Sequence, residues 1–402
     1  MTQLKRHVQN WLEGYLEFTE NSEPPVLFRT WTALSVIASV LKRKCKLPWG
    51  TITFFPNLYI VLVAPPGKAR KGTAMGPGLD FLNDIGIKLA AEATTRESLI
   101  RELRNCNDTI IHSDGRTEFH ASLTIYSEEL TVFLGYQNRQ LISDLTDWYD
   151  CRKRWTYRTK NMGTDDIIGV WVNLFGATTP DMIQTSMPIE TIGGGLASRM
   201  IFVFEQNKAK IVPVTFLTDK ELELRDLLLK DLEQIHTLSG EFKITEGFLN
   251  YWIDWYSCQG NYPPFEDEKF AGYIERRPAH ILKLSMILNA ARSNSMQLDK
   301  QDLEEALEIL TKTERKMPYT FGGIGRSSTS DIIHKVMIEL ALQKKCTFAH
   351  LMGRFYKDID KLGLQKMLEA LESMKFLHFG FENGQQVICH RTDSHYIESL
   401  EP

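Results

Sequence analysis

The stretch Leu58-Tyr59-Ile60-Val61-Leu62-Val63-Ala64-Pro65-Pro66-Gly67-Lys68-Ala69-Arg70-Lys71-Gly72-Thr73 decides the fold. Its first half is a short, continuously apolar, β-branched run, the pattern of a strand covered on both faces. Its second half combines small residues, cations and a hydroxyl. A loop that closes backbone N–H groups around phosphates needs small residues, a lysine for their charge and a hydroxyl for magnesium. With Lys71 as that lysine, Arg70 replaces the preceding glycine, Gly72 stands where Ser or Thr is expected, and Thr73 brings a hydroxyl one position late. The first glycine is replaced by Pro65, with Gly67 nearby. A basic surface turn is the competing reading, and the position directly behind a buried strand favours the phosphate loop. Pro77, six residues after Lys71, is expected to kink or shorten the helix that follows.

Working outward, similar apolar runs fall at residues 109–112, 122–127, 168–176 and 200–204, several of them separated by helical stretches. Buried strands alternating with helices predict an α/β fold with a mostly parallel sheet. Upstream, Leu4, Val8, Trp11, Leu12, Tyr15 and Leu16 predict an amphipathic helix over 3–18, and Phe28, Trp31, Leu34, Ile37 and Leu41 a second over 25–41. The second closes on Lys42-Arg43-Lys44, read either as a solvated cap or as a nucleic-acid contact. After Pro213 the chain turns helical: Thr218 and Glu221 form a capping box, and further helices are expected near 245–257, 275–293 and 299–316. Pro318, Gly322, Gly323, Gly325, Ser327 and Ser328 mark a linker. Beyond it, helices near 330–343, 348–356 and 360–374 precede two β-rich runs joined by Asn383-Gly384, a strong hairpin signal. That is a winged-helix pattern, which serves DNA binding and protein interaction alike. The expected segments are 1–55 (N-terminal helices), 56–215 (core), 216–325 (helical lid) and 329–402 (winged helix).

Composition narrows the class. The 402 residues are 43% hydrophobic and 24% charged, which excludes collagen, a coiled-coil rod and wholesale disorder. Six cysteines without paired spacing argue against a disulfide framework or zinc knuckle and for a cytoplasmic protein with reduced thiols. No run approaches the roughly 18 apolar residues that span a bilayer, and the N-terminus does not read as a signal peptide, so no membrane partner is expected. With 47 Lys and Arg against 51 Asp and Glu, nucleic-acid binding has to come from local patches.

Several motifs carry chemistry. Leu123-Thr124-Ile125-Tyr126-Ser127-Glu128-Glu129 is a strand ending in adjacent acids; one carboxylate suits magnesium and the other suits polarising an attacking water, while a solvated edge is the bland alternative. The strand that ends at Thr178-Thr179-Pro180 presents a hydroxyl to a γ-phosphate or to water, or simply makes a turn. Gly193-Gly194-Gly195 followed by Arg199 suits an arginine finger, with a buried structural arginine as its equal competitor. Arg152, Lys153, Arg154, Trp155, Tyr157, Arg158 and Lys160 combine phosphate neutralisation with stacking surface, as single-stranded DNA binding requires. The alternative is a basic hairpin pairing with Asp144, Asp147, Asp150, Asp165 and Asp166. Arg276 and Arg277, just ahead of Pro278 in an expected first helical turn, are further candidates for the nucleotide, with an interface or structural role for at least one of them as the favoured alternative. His280 reads as structural, and Trp252, Trp255 and Tyr256 as helix core.

Taken in order, these motifs, together with Ala93-Thr94-Thr95-Arg96-Glu97-Ser98-Leu99, carry a resemblance. Residues 26 to 325 resemble the RecA-like P-loop ATPase domain of phage and plasmid primase-helicase-type replication proteins, long catalogued as a domain of unknown function. The resemblance implies a RecA-like P-loop NTPase core of α/β class with a helical N-terminal segment, a helical lid and a C-terminal winged helix. It implies ATP and Mg2+ at a site of Gly67, Arg70, Lys71, Gly72, Thr73 and Arg277. There Glu128 and Thr73 serve the metal, Glu129 is the catalytic base, and Thr178 and Arg199 assist. The implied partners are single-stranded DNA, further copies of the chain in a ring such as a hexamer, and replication proteins. The implied function is an ATP-dependent helicase-like motor or helicase loader. The alternative is a DNA-binding initiator or scaffold with a degenerate, hydrolysis-poor nucleotide site. A small-molecule phosphotransferase is disfavoured, because no second-substrate motif is present.

Overall fold

The computed structural model describes residues 5–92, 94–111, 115–135, 138–159, 163–186, 195–265 and 267–321, and, further on, 332–333, 336–337, 339–340, 343–356, 358–382 and 385–390. The chain divides into two compact units, Met1–Phe321 and Gly322–Pro402.

The first unit opens with helices α1 (Trp11–Phe18) and α2 (Val26–Leu41) and the antiparallel pair β1 (Cys45–Trp49) and β2 (Ile52–Phe54). The apolar run then becomes β3 (Tyr59–Val63), buried at every residue. It is followed by α3 (Lys71–Ile85), α4 (Arg96–Asn105), β4 (Asn107–Ile111), β5 (Thr117–Ser127), α5 (Leu130–Leu134) and α6 (Arg139–Tyr149). The hairpin β6 (Arg154–Thr159) and β7 (Gly163–Ile168) leads into β8 (Val170–Thr178), α7 (Pro180–Ser186) and β9 (Met200–Phe204). Helices α8 (Asp219–Thr237), α9 (Glu246–Cys258), α10 (Ala271–Arg292) and α11 (Lys300–Glu314) complete the unit, to which they belong together with the sheet.

Five strands form one sheet in the order β4-β5-β8-β3-β9. Strands β5, β8, β3 and β9 run parallel, and β4 is an antiparallel edge. In register, Val63 lies opposite both Thr178 and Phe204, and Ser127 opposite Gly176, so four strand C-termini meet at one end. Parallel strands buried on both faces need continuous apolar sequence, which is why β3, β8 and β9 fall within two residues of their expected runs, whereas the edge strand β4 is mostly exposed and β5 begins at Thr117, before its run. A buried Asn173 fixes the layers: its Oδ1 accepts from Leu58 N (2.8 Å) and its Nδ2 donates to the hydroxyls of Ser35 (3.2 Å) and Ser39 (3.1 Å) on α2.

Some local expectations are corrected. The first helix starts at Trp11, capped by Asn10; the preceding residues are held in bends, where the Asp231 carboxylate takes the backbone N–H groups of His7 and Val8. Lys42-Arg43-Lys44 form a 3-10 turn that is absorbed into the structure. Buried Arg43 donates to the carbonyls of Cys151 (2.7 Å) and Val170 (2.9 Å), Lys44 donates to the His236 carbonyl, and Lys42 pairs with Asp108. Pro77 sits inside α3 without ending it, and the neighbouring Ala74 and Met75 carbonyls accept hydroxyls from Thr32 and Tyr126. Pro278 lies about two turns inside α10 rather than in its first turn. The capping box at Thr218 and Glu221 forms as expected.

In the second unit, helices Phe348–Phe355 and Lys361–Ser373 pack with a three-stranded antiparallel sheet, ordered Lys345–Thr347, Gln385–His390, Leu377–Glu382. Val336, Leu340, Leu351, Leu364, Leu368 and Ile388 are among its core residues. The expected linker from residue 322 on and the Asn383-Gly384 turn lie outside the described residues.

Candidate functional site

Residues 64–70 carry the chain from the tip of β3 into α3. Gly67 (φ 69°) and Arg70 (φ 57°, ψ 48°) are both left-handed. That conformation costs a non-glycine residue about 1–2 kcal/mol, so Arg70 occupies a glycine's backbone. Its side chain is held by Glu23 at 2.7 Å, and Lys208 grips the other Glu23 oxygen at 2.5 Å. No side chain caps the N-terminus of α3, which leaves its first-turn N–H groups and the positive end of the helix dipole facing the loop. The Lys71 ammonium folds back over the loop onto the Ala64 carbonyl at 3.0 Å. Burial lowers its pKa, and Glu129 opposes the shift.

The acid pair follows β5. Glu129 is the N-cap of α5, its carbonyl accepting from Val132 and Phe133. Helix α5 lies tight on β8 because Gly176 carries no side chain: a Cβ there would stand 3.1 Å from Leu130. Turned this way, Glu128 reaches across to α3, and its Oε2 lies 2.9 Å from where a Cβ on Gly72 would be. The carboxylate therefore fills the room that the usual Ser or Thr side chain would take. Thr73 instead lines a groove of about 280 Å³ with Phe18, Asn21, Asp80 and Leu217.

At the root of the loop, Thr178 is 1% exposed and its hydroxyl has no hydrogen-bond partner among the described residues. An unsatisfied buried hydroxyl costs about 1–3 kcal/mol, which a ligand's acceptor would relieve. The residues present thus fit a nucleoside triphosphate: an uncapped helix N-terminus, an ammonium, two carboxylates and a waiting hydroxyl. Among the described residues no group of three or more His, Cys, Asp or Glu forms a metal cage. Magnesium here would be held by Glu128 together with phosphate oxygens and water, as is usual for this hard ion.

Other expected residues are not brought to the loop. Met200 pairs with Tyr59, the first residue of β3, so Arg199 sits at the opposite end of the sheet. It is 7% exposed and bonded to Asp150 (2.8 Å) and the Gly195 carbonyl (3.0 Å), an arrangement that matches the structural-arginine alternative. Arg277 is buried and makes a two-pronged pair with Glu314 (2.7 and 2.9 Å), tying α10 to α11. Its guanidinium is committed to that carboxylate and reaches no phosphate loop.

The basic hairpin also leaves the sheet at the end away from the loop. Arg154 pairs with Asp166 and Arg152 with Asp147 (3.2 Å), while Arg158 donates to Thr164 (3.1 Å). Trp155 and Tyr157 lie nearly parallel but half-buried, Trp155 against Trp148 and Tyr157 under the Arg96 guanidinium at 4.6 Å. The aromatic face is turned into the protein. Lys153 is exposed and makes no ion pair among the described residues, and Lys160 lies outside them.

Sequence reasoning missed Glu23, which anchors Arg70, and Lys283, which is buried on α10. The signal for Lys283 was there: a single charge in the stretch Ile281-Leu282-Lys283-Leu284-Ser285-Met286-Ile287-Leu288, which is apolar but for it and Ser285. The chain as a whole matches no protein-family model and no curated protein sequence.

Proposed function

We propose that the first unit binds ATP at the loop of residues 64–73 and hydrolyses it, and that an oligomer of the protein couples this turnover to single-stranded DNA. The observation that carries the reading is the meeting of loop and acid pair. Strand β8 separates β3 from β5 by two strand spacings, roughly 9–10 Å, which leaves room between their tips for a γ-phosphate and a water. Glu128 and Glu129 face Gly72 and Lys71 across that gap.

In this reading the free N–H groups of α3 hold phosphate oxygens, and Lys71 leaves the Ala64 carbonyl for the β- and γ-phosphates. Glu129 accepts the proton of a water as its oxygen bonds to the γ-phosphorus and the bond to the leaving phosphate oxygen breaks. The Thr178 hydroxyl orients that water or holds a γ-oxygen. Magnesium, held by Glu128, would neutralise charge on the phosphates. Arg199 and Arg277 take no part, so cationic stabilisation falls to Lys71. The DNA side of the proposal rests on the hairpin's exposed Lys153 and Arg158.

The test is ATP hydrolysis with and without a single-stranded oligonucleotide, in wild type and Glu129→Gln. Wild type is expected to turn over, faster with DNA, and the variant to lose about a hundredfold or more. No hydrolysis by wild type in either condition removes the motor. A left-handed Arg70 and a hydroxyl-free Gly72 favour a second reading, a nucleotide-gated DNA-binding module, in which an ATP analogue binds without turnover.

A further inference from the structure

At the end of the sheet away from the loop lies a cleft of about 260 Å³. Its lining includes Asn57, Tyr149, Asp150, Arg276 and Lys283. Lys283 is 4% exposed, yet its ammonium makes no ion pair among the described residues. It donates to the Asn57 carbonyl (3.0 Å) and to Asn57 Oδ1 (2.6 Å), and lies 3.9 Å over the Tyr149 ring. Burial brings its pKa down to about 8, which still leaves it protonated at neutral pH. Arg276 stands half-exposed at the rim, its Nε on the Ser198 hydroxyl (3.1 Å) and its Nη1 3.9 Å from Asp150. The closer partner of Asp150 is Arg199, at 2.8 Å. His280, on the same helix, is buried and kept neutral.

Two arginines thus share one carboxylate, and Lys283 adds a third cation with no ion pair among the described residues. A buried charge without a counter-charge is strongly unfavourable, and Lys283 gains here only neutral hydrogen bonds and a ring face. Such an arrangement is stable in function when the opposite charge arrives with a ligand. The cleft opens to solvent past Arg276 and the exposed Ile52 and Thr53, and its polar end is cationic over an aromatic wall. A multivalent anion matches the surplus of two positive charges, and Arg with Lys is the pairing that phosphate recognition uses.

We propose that this cleft is a second anion site, which binds a phosphate group between Arg276 and Lys283. It is separate from the loop and does not depend on ATP binding there. The phosphate belongs either to a free phosphate ester or to the backbone of a nucleic-acid strand. The test is calorimetric titration of the full chain in a Lys71→Ala background, which silences the loop, first with inorganic phosphate and then with a single-stranded thymidine oligonucleotide. One phosphate per chain is expected, and Arg276→Gln and Lys283→Met are each expected to weaken it about tenfold through loss of one charged hydrogen bond. If the oligonucleotide weakens in parallel, the source is a strand; if only inorganic phosphate weakens, it is a free ester. Absence of phosphate binding in the Lys71→Ala chain, or equal affinity with and without Arg276→Gln, overturns the proposal. Arg276 is at the rim, so its variant carries the test even if Lys283→Met fails to fold.

Discussion

At Gly72, the absence of a side chain decides where a carboxylate goes. The Glu128 oxygen rests within 2.9 Å of the missing Cβ, so acid and glycine form a matched pair that replaces the usual hydroxyl. Gly72→Thr, which restores the commoner residue, is therefore expected to harm the site. The new side chain displaces Glu128, and magnesium-dependent affinity for a fluorescent ATP analogue should fall about tenfold or more, the worth of one charged contact. Titrations with and without magnesium check this; an affinity that rises would mean that the hydroxyl, not the carboxylate, is what the metal needs. This was only half legible in the sequence. The departure at position 72 can be read from the letters, but its compensation by a residue 56 positions later depends on α5 settling against Gly176.

Among elements, α10 shows the same ambiguity from the other side. Arg277 and Arg199 have the sequence signature of phosphate-binding arginines, and both are used to hold the fold. A buried guanidinium and a ligand-seeking one look alike until the partner is known, and the partners here come from distant chain: Glu314 for one, Asp150 for the other. Arg277→Ala strands the Glu314 carboxylate in the interior and is expected to cost about 3–5 kcal/mol in urea unfolding. ATP-analogue affinity at temperatures where the variant stays folded should be unchanged. A variant of wild-type stability with weakened nucleotide binding would return Arg277 to the site. Strands were far more legible, because a buried parallel strand must be apolar at every position, as at residues 59–63 and 200–204. The hairpin was legible as basic and aromatic, but which face turns inward was not: Trp148, at the end of the preceding helix, and Arg96, remote in sequence, claim the rings.

At the scale of the whole molecule, two buried histidines, His120 and His280, and the half-buried His236 set an acid limit. Burial holds His120 and His236 down at about 4 and His280 at about 3, against 6.5 for an open chain. Below pH 6.5 the unfolded chain therefore takes up protons that the folded one refuses, and stability falls as the pH drops from 6.5 towards 4. The urea midpoint of the first unit is expected to be clearly lower at pH 5 than at pH 7; a constant midpoint would contradict the burial of these rings. No helix among the described residues is long and apolar enough to cross a membrane. The two charged ends of the unit share one stiff part. Strand β3 carries the loop on its last residue, while Asn57, two residues before its first, holds Lys283. Five residues clamped between hydrogen-bonded neighbours contain no compliant joint, so β3 behaves as a short rod. Any axial push delivered at one tip has to be borne at the other.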